Sequence, residues 1–480
     1  MTWVIEVENQ LKNIGTYQAP NRSIYRVPTP ILELNKKAYE PEVVSFGPYH
    51  YGEDRLKYME EHKKRSLLHF WKRAKKPLPS IVDSLVPVLL ELQDSYDSLS
   101  ESWRDTERFL QLMVVDGCFM LQILRAASGS EYKDDYGDQD PVFGSHGKQH
   151  VMPWIRRDML LLENQLPILV LVKLSMASSK SNDKSQNKSI HFITKIRNLH
   201  INLISDSIHM SLKGEDLYLW HFYTTNTQPQ YKKCQHLLDL YHRNLFQPPK
   251  QPGNARPSTS ASQENCVIRL LRLLRLVGKN PEAVIFSATM LHDAGIKIKP
   301  SETRYLNDIS FDGRGVLNLP IFIVNDMTES TLLNLLALER YHVGSGNAVS
   351  SFLRFMDKIV DDEQDIRLLI KVGVLQNDTG TDRSAAELFH TVTKDLTTDT
   401  ENELSWVQKE MVNYSKSIRH RLSAHLWHAY NFFFGARGHF RRNWAIISVI
   451  AAIFFFSLTI IQTVFAILQY QQGQQGQNRH

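Results

Sequence analysis

Three acidic side chains stand where acids are uncommon: Asp116, Asp158 and Glu163 lie inside strongly apolar stretches. Two buried carboxylates that meet across a cleft can divide acid and base roles, because their surroundings push the two pKa values apart. The same groups can instead close a structural network, since a buried carboxylate needs donors or a cation. Arg156 and Arg157 directly precede Asp158, which favours the network. Cys118 follows Asp116 by two positions in VVDGC (114–118). It lacks an adjacent base or cation to sharpen a thiolate, so it reads as a core thiol. Cys234, His236 and His242 are too few and too loosely spaced for a zinc site. No catalytic, cofactor-binding or metal-binding residue is assigned, and no cofactor is expected.

Known reaction signatures are missing from the sequence. It has no Walker loop, no HExxH pair and no GxSxG elbow. Gly313-Arg314-Gly315 and Gly344-Ser345-Gly346 read as turns. The 56 Lys and Arg nearly balance the 51 Asp and Glu, for a net charge of +5. The charges are interspersed, as in Glu60, Glu61, Lys63 and Lys64, so no nucleic-acid stripe forms and no nucleic-acid partner is expected. Three cysteines without a CxxC pair argue against a disulfide framework and suit a reducing compartment.

The elements that position these acids are mostly helices. A flexible lead (1–23) precedes an extended, proline-punctuated stretch, YEPEVVSFGPYHY (39–51). An amphipathic helix follows over Leu56 to Ala74, stopped before Pro77. A helix from Pro79 to about Leu99 should kink at Pro87. Arg104 to Ala127 should be helical, capped by Asp105 or Thr106, and Pro153 to Leu174 should be a helix broken at Pro167. Ser175–Ser189 and Gln247–Glu264 are Ser/Pro/Asn-rich and read as exposed loops, with weakly patterned helix from His191 to Arg243 between them. In Val267–Val277, Arg269, Arg272 and Arg275 share one face, either solvated or turned to anionic lipid.

Beyond the second loop, a helix from Pro281 to Gly295 leads into strands at Ile296–Lys299, Ile309–Phe311 and Val316–Val324. Together they make a small antiparallel β element over about 296–324, with Asp312-Gly313 as a turn. Asp326 and Glu329 resemble a capping box for a helix over Thr328–Tyr341. Helices at Ala348–Val360, Glu363–Val372 and Arg383–Leu396 follow. A last long helix, from Thr400 to Leu426, carries Leu404, Val407, Met411, Tyr414, Ile418, Leu422 and Leu426 at steps of three and four. That stripe either packs on its own body or pairs with a second copy as a coiled coil.

At the C-terminus, the 25 residues from Trp444 to Leu468 carry no charge. Such a helix is long enough to cross a bilayer. The expectation is one transmembrane helix (443–469) in membrane lipid, followed by a polar tail (470–480) and inserted after synthesis. Arg437, Arg441 and Arg442 precede it and only Arg479 follows, which places the body in the cytosol. No secretory signal opens the chain. Trp427, Tyr430 and Phe432–Phe434 either touch the membrane interface or pack on the body. Which membrane holds the helix, plasma membrane or endoplasmic reticulum, is left open. Sequons at Asn21, Asn187, Asn377 and Asn413 matter only if the body is lumenal.

Several phrases recur in order: IYRVP (24–28), YEPEVVSFGPYH (39–50), MEEHKKR (59–65), MVVDGCF (113–119), RDMLLLENQLP (157–167), FSATMLHDAGIKIK (286–299), VLNLP (316–320) and LLALERY (335–341). In these the chain resembles the plant family called domain of unknown function 247, from about residue 24 to the membrane helix. Met159 and Met290 depart from the expected pattern. The resemblance implies a mainly α fold, with one conserved region over 24–436 and a C-terminal membrane helix. It carries over no catalytic residue. Some grass members are linked to self-incompatibility. Three roles stay open: recognition or signalling through an unknown protein partner, an unfamiliar enzyme using the buried acids, and an oligomeric scaffold.

Overall fold

The computed structural model describes residues 3–5, 7, 11, 22–127, 136–178, 235–246, 287–303, 305–394, 396, 404–416, 448, 451–464 and 466. The chain forms a body, Met1–His292 with Ile296–Tyr414, and a second unit, Asp293–Gly295 with Ser415–His480. The fold is mainly helical with two small sheets.

The body contains two apolar cores. The first is built on long amphipathic helices. After α1 (Thr29–Leu34) and α2 (Lys36–Tyr39), a short turn leads into α3, Lys57–Ala74. Its buried face, Met59, His62, Lys63, Ser66, Phe70 and Ala74, recurs at helical spacing. Pro87 divides the next expected helix into α4 (Leu78–Asp83), a single 3-10 turn (Val86–Val88) and α5 (Leu89–Asp94). Helix α6, Thr106–Ala127, packs along α3. Its Asp105 carboxylate accepts the Arg108 N–H at 2.8 Å, a side-chain cap. Helices α7 (Ser145–His150) and α8 (Met152–Asp158) lead through a tight, non-helical passage to α9, Ile168–Ser178. Pro153 sits in the first turn of α8, and the break falls at 159–167, ahead of Ile168. Gly117 permits α6 to meet α9 closely: a Cβ there would lie 2.5 Å from Leu174 Cδ1 and 3.0 Å from Val170 Cγ1.

The second core gathers α10 (Leu237–Leu245), α11 (Ala288–Asp293), α12 (Thr328–Tyr341), α13 (Ala348–Ile359), α14 (Glu363–Lys371), α15 (Asp382–Thr393) and α16 (Ser405–Lys416) around five strands. The expected antiparallel element is instead mixed. β1 (Lys297–Pro300) pairs in parallel with β3 (Val316–Leu319), and only β2 (Ser310–Asp312) runs antiparallel to it. Asp312 does make the turn, accepting the Arg314 and Val316 N–H groups at 3.0 and 2.8 Å. The strand expected over 316–324 breaks after Leu319, because Pro320 cannot donate to a ladder. β4 (Phe322–Val324) then pairs in parallel with β5 (Leu375–Asn377), a partner more than fifty positions away. The expected Asp326/Glu329 capping box is absent. Asn325 and Thr328 close that helix start on each other, and Glu329 accepts Asn35 Nδ2 at 2.7 Å.

Thr106–Ala126 is long and apolar enough to cross a membrane, but 78% of its most apolar eighteen-residue stretch is buried inside the body, so it is a core helix. The C-terminal apolar helix, α17, is described over Ala451–Val464, and its large side chains are exposed. The rest of the expected 444–468 span, apart from Ser448 and Ala466, lies outside the described residues. Of the loop expected over 175–189, residues 175–178 instead close α9, continuing its helix, and residues 179–189 lie outside the described residues. So do the loop at 247–264, the Val267–Val277 stripe, Cys234, Cys266 and the residues around Arg437. Along the expected heptad stripe, Leu404, Val407 and Met411 are buried in the second core. Ile418, Leu422 and Leu426 lie outside the described residues.

Candidate functional site

The sequence-selected acids converge on one place, the seam between the two cores. Neighbouring residues there point alternately into either core. Val27, Tyr39, Leu160, Leu162 and Leu238 belong to the second, while Ile24, Val44, Phe46, Met159, Leu166 and Leu237 belong to the first. The chain at 40–50 has no regular helix or ladder, so its backbone N–H groups need other acceptors.

Asp158, at the end of α8, supplies most of them. Its Oδ2 accepts the N–H of Val43 at 2.7 Å and those of Glu42 and Val44 at 3.0 Å. Its Oδ1 accepts Glu42 N–H and Arg157 Nη1 at 3.0 and 2.8 Å. Arg157 also donates to the Glu40 carbonyl at 3.1 Å and to the Lys37 carbonyl. Burial raises the Asp158 carboxyl above its ordinary range, against the opposing pull of these donors. Asn164 continues the row. Its Oδ1 accepts Phe46 N–H at 2.6 Å, and its Nδ2 donates to the carbonyls of Val44 and Asp158, both at 2.9 Å.

Asp116 takes the next N–H, that of Gly47, at 2.9 Å. Its other oxygen lies 2.8 Å from Lys63 Nζ, and both side chains are 0% exposed. Lys63 also reaches Glu60 at 2.6 Å and Ser45 Oγ at 3.2 Å. Burial pushes the Asp116 carboxyl up to about 6, although Lys63 and the Gly47 N–H pull it down. Gly47 itself has φ of 71°, and a Cβ there would sit 2.7 Å from the Gln165 carbonyl oxygen. The backbone therefore requires glycine at this position.

Glu163, Asn164 and Gln165 are consecutive, and each holds a different segment. Glu163 accepts Val27 N–H at 2.6 Å, with Arg26 at 3.6 Å and His50 Nε2 at 3.7 Å. Burial raises its carboxyl too. Gln165 donates to the Met159 and Leu161 carbonyls at 2.7 and 2.8 Å and accepts Leu238 N–H at 3.1 Å. From the second core, Asn334 accepts Leu162 N–H at 2.8 Å and donates to the Ala38 carbonyl at 2.8 Å.

The seam thus brings Asp116, Asp158 and Glu163 onto backbone donors rather than onto a common reacting atom. Each carboxylate is occupied as a hydrogen-bond acceptor, which counts against acid–base chemistry. Cys118 is fully buried, and burial pushes its thiol well up. The two described members of the Cys/His group part company. His236 Nε2 lies 3.0 Å from the Ser23 carbonyl, and His242 Nε2 lies 2.9 Å from Glu339. Burial lowers His236 to about 4, so its ring is neutral near pH 7. Among the described residues, no group of three His, Cys, Asp or Glu could hold a metal ion.

Sequence reasoning singled out neither Lys63 nor Asn334, and did not see that Asn164 and Gln165 hold backbone. The available signal was polar residues in an apolar run, ENQ at 163–165. Besides the local carbonyls of Asp158, Met159 and Leu161, their partners Val27, Phe46 and Leu238 lie far along the chain and leave no local trace.

Residues 24–458 match a family model described as a plant protein of unknown function. UPF0481 protein At3g47200 of Arabidopsis thaliana is 29% identical over 467 residues, covering 94% of this chain and 88% of the relative. The putative UPF0481 protein At3g02645 of the same plant is 21% identical over 466 residues, covering 82% and 83%. No solved structure matches the chain significantly.

Proposed function

The chain belongs to this plant family, domain of unknown function 247, and on that premise we propose that it is a membrane-anchored recognition or signalling protein that acts through protein partners rather than by catalysis. The observation that carries the reading is the fate of its buried acids. Asp116, Asp158 and Glu163, the groups best suited to chemistry, are consumed in holding backbone. The functional surface is then the outside of the body.

The anchor in this reading is the uncharged run from Trp444 to Leu468. The exposed apolar face of α17 supports it, as does a family match that extends to residue 458. Arg437, Arg441 and Arg442 on the body side favour a cytosolic body. Pollen–stigma self-incompatibility in a grass is one setting that such a role fits. A homo-oligomeric scaffold would have to pair through Ile418, Leu422 and Leu426, since the earlier half of that stripe is used in the core.

The test is alkaline extraction and glycosidase treatment of the full chain expressed in plant cells. Retention in the alkali-resistant membrane fraction is expected, with release after truncation before Trp444. No glycosidase-sensitive mass shift is expected at Asn21, Asn187, Asn377 or Asn413. A shift would place the body in the lumen. A substrate turnover abolished by Asp158→Asn with an unchanged unfolding midpoint would contradict the non-catalytic reading.

A further inference from the structure

Helix α3 buries one face in the first core and leaves the other bare. The bare face near its C-terminal end carries Lys64, Leu68, Trp71, Lys72 and Lys75, all exposed, and Lys76 follows. Leu68 is 59% exposed and Trp71 38%. Positions 64, 68, 71 and 75 step by four, three and four, so they form one stripe. The other basic residues of the helix are engaged elsewhere. Lys57 pairs with Asp54, Lys63 with Asp116 and Glu60, Arg65 with Asp140, and Arg73 donates to Gln122. Lys64, Lys72, Lys75 and Lys76 have no acidic partner among the described residues. The helix end that carries them is fixed: Lys75 closes it in the left-handed region at φ 52°, and Trp71 Nε1 donates to the Lys76 carbonyl at 2.8 Å. With its one polar group satisfied, the indole presents an apolar surface ringed by unneutralised lysines. Glu61, one turn before, is the single acid on the same exposed face.

We propose that this face of α3, residues 64–76, docks on an anionic phospholipid surface. Lys64, Lys72, Lys75 and Lys76 take the headgroup phosphates, and Leu68 and Trp71 enter the headgroup layer. Lysines around exposed apolar and indole side chains are the combination that binds acidic interfaces. The occupant follows from charge complementarity, together with a body held within reach of a bilayer. In that second respect it rests on the membrane-anchored reading.

The test uses the full chain mixed with neutral phosphatidylcholine vesicles, or with vesicles holding about 30% phosphatidylserine. Alkali-resistant binding to neutral vesicles reports the anchor alone. Amine-reactive footprinting of Lys64, Lys72, Lys75 and Lys76, read by mass spectrometry, reports the α3 face whether or not the anchor inserts. Their reactivity should fall about threefold or more on the anionic vesicles only and recover in high salt, with Lys371 as unchanged control. In Lys64→Glu/Lys72→Glu, protection of Lys75 and Lys76 should be lost. Equal reactivity on both vesicles overturns the proposal. So does protection by soluble poly-glutamate without protection by anionic vesicles, which would assign the face to an acidic protein.

Discussion

Asn164 Oδ1 accepts the backbone N–H of Phe46 at 2.6 Å, across 118 positions of sequence. The same side chain donates to the carbonyls of Val44 and Asp158, so one amide fixes the extended 40–50 segment to the passage between α8 and α9. Asn164→Ala leaves three buried backbone groups unmade. At about 1–3 kcal/mol for each such group, the expected loss is roughly 3–5 kcal/mol, because the losses overlap. Denaturant unfolding of the full chain in detergent measures it. Asn164→Asp should not rescue, since it replaces the donating NH2 with a carboxylate oxygen, an acceptor turned against the carbonyls of Val44 and Asp158.

Lys63 and Asp116 form a second test. Both are fully buried, so Lys63→Met strands the Asp116 carboxylate and should cost about 3–5 kcal/mol, while Asp116→Asn leaves Lys63 its pair with Glu60 and should cost less. The double variant should cost less than the sum by at least about 1 kcal/mol, which a double-mutant cycle reads directly. The pH dependence has a definite sign. Burial, the largest cause, raises the Asp116 carboxyl to about 6 in the folded protein, above its ordinary unfolded value near 4. Its contribution is therefore greatest below the unfolded pKa and is lost as pH rises through about 6. The stability margin of the wild type over Asp116→Asn should shrink between pH 4 and pH 7, as followed by thermal melts. A margin that grew with pH would contradict this.

Much of the fold could be read locally, because its determinants are local. Pro87 removes an N–H donor and breaks its element, Asp105 caps α6, and the Leu404, Val407, Met411 stripe faces the core. Pro320 is as local a signal, but the expected strand over 316–324 runs through it. The acids were found for the same reason: a charge in an apolar run is visible in one dimension. Their partners were not. The seam joins Asp158 to residues 42–44 and Asn334 to Leu162, and the second core joins β4 to β5, pairings set by tertiary packing. Parallel pairing of β1 with β3 was missed for that reason, since the turn at Asp312 dictates only the β2–β3 hairpin.

Glycine positions in the family phrases give a third prediction. Gly117 lets α6 approach α9, with a Cβ position only 2.5 Å from Leu174 Cδ1. Gly117→Ala should overpack this contact and cost about 1–3 kcal/mol. Leu174→Ala should recover part of the loss by making room, as measured by the unfolding midpoint. Gly47→Ala meets backbone, the Gln165 carbonyl, and should have no such rescue.

The claim that the buried acids are scaffold rather than catalyst rests most directly on Asp158 and the N–H groups of Glu42, Val43 and Val44. Amide hydrogen exchange across residues 42–47 of the full chain measures that relationship without reference to any activity. The account predicts protection comparable to α6 in the wild type, and loss of that protection in Asp158→Asn, whose amide would turn donors toward donors. Rapid, loop-like exchange of these amides in the wild type, or unchanged protection in Asp158→Asn, would contradict it.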